Sequence, residues 1–326
     1  MKLFIILKYI VARLFKSIPT IIGIILLNFL IIQLAPGDPA EALAGESGGA
    51  TIEYVEELRE KLGLNKSGPE RFYLYAKSVA VLDLGFSFRN NAPVLDLILD
   101  RFGPTFLLMG TALIISICLG TVLGIMSSKK INSLTDNFIS VLSVVSYATP
   151  VFWVAIMAIL IFSIWIPIFP VAGMTNVIAF YDGWDRVIDI AHHLVLPSTT
   201  LALFYTAVYA RLSRATVIEQ RYMDYVTTAR AKGLTESQIT WRHIFPNAVL
   251  PVITMAGVQM GALLGGSVVV ETVFAWPGLG TLAYQALFSR DLNLLLGIFV
   301  FCTVLVVFVN ILVDLMYMLI DPRIKV

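Results

Sequence analysis

Six stretches of this chain are apolar for long enough to cross a bilayer. They run over residues 9–34, 104–127, 138–166, 194–215, 247–270 and 292–320. A spanning helix needs about 20 mostly apolar residues. Backbone groups have no water to bond in hydrocarbon, so such segments fold as helices or closed barrels. Runs of this length specify helices. Over the whole chain, 58% of 326 residues are hydrophobic and 14% are charged. A soluble core cannot absorb that share. The sequence therefore predicts an all-α integral membrane protein with six transmembrane helices.

The first run follows Lys2, Lys8, Arg13 and Lys16, and its apolar stretch Ile18–Leu34 is long for a cleaved leader. The expectation is a retained anchor helix. Basic residues gather before run 1, between runs 2 and 3 (Lys129, Lys130), between runs 4 and 5 (Arg211, Arg214, Arg221, Arg230, Lys232, Arg242) and after run 6 (Arg323, Lys325). The positive-inside rule puts both termini and these loops in the cytoplasm. Residues 35–103 then lie outside, ahead of a permease core at 104–326. Helical spacing of Ile52, Val55, Leu58 and Leu62, with Gly63 as a stop, predicts one helix there. Pro69–Leu82 predicts a second. This makes a small helical external subdomain, either a cover for the bundle or a surface facing a delivering protein.

The two cysteines, Cys118 and Cys302, sit inside apolar runs, so neither a disulfide framework nor a zinc site is indicated. His192 and His193 lie beside Asp182, Asp185 and Asp189 without metal-ligand spacing and are expected to be solvated loop residues. No nucleophile–base constellation is evident, so no catalytic residue is assigned. Nothing in the net charge of +1 points to nucleic acid.

Three segments carry functional expectations. The charged loop 216–246 reads as a helix over Glu219–Ala231 with a stripe of Tyr222, Tyr225, Val226 and Ala229. Gly233 then provides a left-handed stop. Thr235 and Gln238 form a capping box for a second helix, which is expected to stop before Pro246. A rigid, bent element of this kind suits docking into a cleft of another protein, with Arg230 and Lys232 solvated or paired to the partner. After run 5, Trp276-Pro277-Gly278-Leu279-Gly280 is a strong turn signal ahead of an amphipathic stretch too short to span. That predicts a broken or re-entrant gate, with Trp276, Pro277, Gly278 and Gly280 as its residues. Ser140, Ser143 and Ser146 recur at i, i+3 and i+6 in run 3, and Gln259 lies in run 5 with Gly261, Gly265 and Gly266. These are candidate path-lining residues, though small residues also mediate helix packing. Thr149-Pro150 is expected to kink run 3.

The docking loop resembles the cytoplasmic hallmark of ATP-binding-cassette importer permeases. Gly233, Pro246 and Ala229 match its glycine, proline and second alanine, while Thr227, Thr228, His243 and Phe245 replace other motif residues. LAPGDPA (Leu34–Ala40), LREKLGL (Leu58–Leu64), DLGFSF (Asp83–Phe88), DYVTTARAKGL (Asp224–Leu234), RHIFPNAVLPVIT (Arg242–Thr254), VVVETVFAWPGLG (Val268–Gly280) and LVDLMYMLIDPRI (Leu312–Ile324) resemble, in number and order, the blocks of the dipeptide, oligopeptide and nickel branch, first of two permease subunits. The resemblance implies the type I importer permease fold and a place in the bacterial inner membrane. It implies Tyr225, Thr228, Ala229, Lys232, Gly233, Leu234 and Pro246 as the ATPase-docking set. Its partners would be a second homologous permease, two ATPase subunits and an external binding protein. No phosphate-cradling G-x-x-x-x-G-K-[ST] occurs, so ATP and magnesium are expected on those partners and no cofactor on this chain. Nickel chelates or glutathione are alternative cargoes. An ion-coupled transporter would rely on Asp314 in run 6, whose plainer role is structural.

Overall fold

The computed structural model describes residues 2–34, 51–61 and 65–320, and the side chains of 11–34, 51–57, 59–60, 65–260 and 267–315. Gly63 and the surroundings of Gly261, Gly265 and Gly266 lie outside these. The regular structure of the described chain is helical apart from one hairpin of two-residue strands. In order, its elements are α1 (Lys2–Leu34), α2 (Ile52–Lys61), α3 (Gly68–Ala80), β1 (Phe86–Ser87), β2 (Ala92–Pro93), α4 (Val94–Ser128), α5 (Leu134–Ala148), α6 (Val151–Ile159), α7 (Gly183–Arg221), α8 (Asp224–Ala231), α9 (Glu236–Ile239), α10 (Phe245–Val273), α11 (Leu279–Ser289) and α12 (Leu292–Ile320). Two π-helical stretches occur, Leu160–Trp165 after α6 and Thr240–Ile244 after α9.

Each of the six apolar runs is helical. Among the described residues, Val11–Leu34, α4, α7 and Leu292–Leu315 are each long and apolar enough to cross a membrane. Run 5 is the 29-residue α10. Run 3 departs from a simple kinked span. It is two helices bent by 99°, because Pro150 has no amide to continue α5. Two spans also begin earlier than predicted. α4 starts at Val94 rather than 104, and α7 at Gly183 rather than 194. Polar residues are tolerated in helix that extends past hydrocarbon, and Pro104 and Pro197 lie inside these helices. His192 and His193 are therefore on a helix, not in a loop. Nδ1 of His193 lies 2.9 Å from the Asp189 carbonyl, and Nε2 of His192 is 2.8 Å from that of Ile168.

The chain divides into two compact units. The first comprises residues 1–103 and 282–311. In it α3 lies along α1, with Ile25 and Val79 buried beside Val300 and Phe29 edge-on to Phe72 at 5.5 Å. A capping box of Ser67 and Glu70 starts α3. The hairpin anchors the start of α12: the Ser87 hydroxyl donates to Asp291, whose other oxygen accepts the Leu294 amide at 3.0 Å. The side-chain amide of Asn28 donates to the Leu296 carbonyl at 3.1 Å.

The second unit comprises residues 104–281 and 312–325, and α7 is its hub. Leu108 and Ala112 of α4, Ala155 of α6, Leu201, Tyr205 and Tyr209 of α7, and Val252 and Val270 of α10 bury one continuous cluster. In lipid, helix association rests on close packing rather than on removal from water. Gly120 and Gly124 supply it. A Cβ on Gly124 would lie 2.6 Å from the Ala210 carbonyl oxygen, so α4 and α7 touch backbone to backbone there. At one end of this crossing Asp136 accepts two 2.7 Å bonds from Arg214, one from the Ser127 hydroxyl and one from the Asn132 amide. Arg221 donates to the Ser128 carbonyl at 2.7 Å. The Arg214 and Arg221 read as loop charges thus tie α4, α5 and α7 together.

Candidate functional site

The charged loop is built from local signals. α7 ends at Arg221, and Tyr222 and Met223 interrupt the helix expected over Glu219–Ala231 before α8 begins. The break rotates the predicted stripe. Val226 and Ala229 are buried with Ile239, Ile244 and Ile125, whereas Tyr222 is exposed and Tyr225 is at the surface, its hydroxyl 2.7 Å from Gln220. Gly233 has φ +78°, a left-handed conformation suited to glycine, and nothing stands within 4 Å of where a Cβ would be. Thr235 and Gln238 then form the predicted capping box. Thr228 and Lys232 are exposed and Leu234 half-buried.

Two features of this loop depart from expectation. Arg230 is not left for a partner: it donates to Glu236 at 2.8 Å across the glycine turn. That bond holds the Glu236 carboxyl below its ordinary value. Nor does the second helix stop before Pro246. A π-helical turn over Thr240–Ile244 carries the chain straight into α10, with Pro246 in the first turn of α10. The wider turn and that position dispense with the amide proline lacks. The Asn247 side chain donates to the His243 carbonyl at 2.8 Å. Pro246 and Trp241 are exposed. The result is a bent, internally braced element carrying Tyr222, Tyr225 and Trp241 on its surface.

The Trp276–Gly280 turn closes around a residue that sequence reasoning missed. Glu271, in the last turn of α10, is fully buried. Its carboxylate accepts the Thr105 hydroxyl at 2.8 Å and the Thr281 amide at 3.0 Å, with further bonds from Gly280 and Ser267. The Leu279 amide donates to Thr105 at 2.7 Å. Amides at the start of α11 are thus capped by a carboxylate from α10 and a hydroxyl from α4. A Cβ on Gly278 would collide with that carboxylate, and one on Gly280 would meet Val268 Cα at 2.6 Å. Both glycines are needed for this wrap. Trp276 is fully buried and donates to the Pro104 carbonyl at 2.9 Å. The signal for Glu271 was an acid six residues before the Pro-Gly pair at the end of an apolar run; its partner Thr105 is 166 positions away.

The candidate path residues do not share one environment. Ser143 is buried, and its hydroxyl is spent on the Ile139 carbonyl at 2.8 Å. Ser140, Ser146 and Gln259 are half-buried. Ser146 lines a cavity of about 170 Å³ with Thr149, Val151, Trp153, Thr200 and Phe204, at the α5–α6 bend. A more open hollow of about 460 Å³ adjoins it, along Ala148, Pro150 and Phe152.

Two family models match the chain. One, described as binding-protein-dependent transport system inner membrane component, covers residues 120–326; the other, for the N-terminal part of such membrane components, covers residues 6–109. Among curated relatives, the dipeptide transport system permease protein DppB of Alkalihalophilus pseudofirmus is 36% identical across 98% of this chain and 99% of its own length. The DppB protein of Escherichia coli is 35% identical across 98% and 99%. A putative peptide transport system permease of Brucella abortus is 36% identical across 97% and 98%. Among solved structures, an inward-facing MetNI methionine ABC transporter superposes with a TM-score of 0.57 at 16% identity, over 70% of this chain and 97% of that one. That likeness is one of fold, the type I importer permease.

Proposed function

The chain belongs to the binding-protein-dependent transport system inner membrane components, and from that premise we propose that it forms one half of the membrane path of an ATP-driven importer of short peptides. Full-length relatives named as dipeptide permeases support the cargo. The single observation that carries the coupling is the element around Gly233. It is braced within by Val226, Ala229 and Ile239 and by the Arg230–Glu236 pair, and it presents aromatic side chains outward. Tyr222 and Trp241 are exposed on it and open to a partner's cleft.

The partners are a second permease of the same family, two ATPase subunits holding ATP and magnesium, and an external binding protein. Both termini and residues 224–247 face the cytoplasm, and residues 35–103 face outward. The Trp276–Gly280 turn is the gate. Around its buried carboxylate, the backbone of a broken helix keeps its hydrogen bonds at membrane depth.

The test is uptake of labelled dialanine by vesicles holding this chain, its second permease, the ATPases and the binding protein. Uptake that needs ATP and saturates with dialanine supports the proposal. Uptake driven by a proton gradient without the ATPases overturns it, and uptake of nickel chelate or glutathione in preference to dialanine overturns the cargo.

A further inference from the structure

The bend between α5 and α6 leaves backbone groups without partners. Pro150 has no amide, so the Ser146 carbonyl loses its helical donor. Thr149 N–H and its hydroxyl both go to the Val145 carbonyl, at 3.0 and 2.7 Å, and the amides of Trp153 and Val154 both go to the Pro150 carbonyl. Among the described residues, nothing pairs with the carbonyls of Ser146, Tyr147 and Ala148 or with the amides of Val151 and Phe152. Each such group facing lipid costs several kcal/mol, so the bend faces protein or water.

A second observation points to a ligand. Thr200 of α7 is 3% exposed and lines the cavity at this bend, yet its hydroxyl has no hydrogen-bond partner among the described residues. Threonine in a helix commonly bonds the carbonyl one turn back, as Thr199 does to Val195 at 2.6 Å. Tyr147, stacked on Phe204 at 4.8 Å, holds the end of α5 against α7 beside it.

The two helix ends at the bend have opposite polarity. The C-terminal end of α5 presents carbonyls and partial negative charge, and the N-terminal end of α6 presents amides and partial positive charge. Broken helices at mid-membrane use such ends to hold ions of both signs. A short peptide is a zwitterion with one charge of each sign. We infer that the α5–α6 elbow is a substrate subsite which takes a short peptide by its charged ends: the ammonium on the Ser146, Tyr147 and Ala148 carbonyls and the Thr200 hydroxyl, the carboxylate on the Val151 and Phe152 amides. This rests on the peptide reading above and adds to it a place in this chain where the cargo is recognised.

The experiment uses the complete importer in vesicles without its binding protein, with Cys118→Ala, Cys302→Ala and Ser146→Cys. Reaction of the new thiol with a water-soluble maleimide is followed with and without millimolar dialanine. Protection of several-fold by dialanine, and none by N-acetyl-dialanine or dialanine amide, supports the subsite. Adding Thr200→Val should raise the half-protecting concentration by about three- to tenfold, the size of one hydrogen bond. Where Ser146→Cys does not assemble, Val145→Cys reports on the same cavity. A thiol that the reagent never reaches, no protection, or equal protection by the end-blocked peptides overturns the subsite. Dialanine uptake by the unsubstituted importer separates the two claims. Uptake without protection overturns the elbow alone, and protection without uptake supports the elbow and counts against peptide transport.

Discussion

Two glycines show how differently one residue type can matter. Gly278 is fixed by what surrounds it: its missing side chain is the space that the Glu271 carboxylate fills. Gly278→Ala is expected to cost about 1–3 kcal/mol through overpacking and to lower uptake, read as a drop in melting temperature and in transport rate with the complex still assembled. Glu271→Gln is expected to cost a similar amount, because an amide turns its N–H toward groups that are themselves donors; the same two assays check it. Gly233 is fixed by backbone alone, with φ +78° and open space around it. Gly233→Asp should therefore cost this chain only about 1 kcal/mol, yet abolish substrate-stimulated ATP hydrolysis, since the open space is where a partner would sit. Wild-type coupling, or failure of the variant to insert, would remove the docking role. Gly233 and its capping box were legible in sequence because all their partners lie within a few residues. Glu271 was not, since a buried acid's meaning depends on what the fold brings to it. The Arg230–Glu236 pair adds a pH effect. A carboxylate held below its ordinary value of 4.5 contributes stability that is present above that value and lost as pH falls through the lowered one. Amide exchange of α8 and α9 should quicken in acid, and Arg230→Gln should quicken it at neutral pH while blunting that acid dependence.

At the scale of elements, hydropathy located every apolar run but not its shape. Length and apolarity do not reveal that run 3 turns through 99°, although Thr149-Pro150 marked the place. Proline misled in the other direction at Pro246, where a π-helical turn upstream makes room for it. The α4–α7 crossing was hidden in LGTVLG, whose two glycines read as ordinary members of an apolar run until α7 lies against them. Gly124→Leu places a branched side chain where the Ser213 Cβ and Ala210 carbonyl already stand. It is expected to separate α4 from α7 and to lower the melting temperature in detergent more than Gly110→Leu, at a glycine with nothing within 4 Å. Equal shifts would show that the crossing is not the tight contact.

For the molecule as a whole, composition was enough to specify membrane residence, and the ordered blocks were enough to specify the family; the positive charges add an expected orientation. The polar bond network was beyond sequence reading, because Asp136 meets Arg214 and Ser87 meets Asp291 only after the chain has folded. The orientation is checked by side-specific thiol labelling. Cysteine at position 60 should react only from outside and at position 224 only from inside; labelling of position 60 only from inside would invert the arrangement. The bent element joins α10 through the π-helical turn at Thr240–Ile244, without a loop between them. Such a turn stores one residue more than the α-helical turn it replaces. Letting that residue go would screw everything beyond it through about 100° and advance it about 1.5 Å. The joint is a thread rather than a rod: a thrust delivered at one end need not stay a thrust, and the Trp276–Gly280 turn at the far end of α10 can be reached by torque.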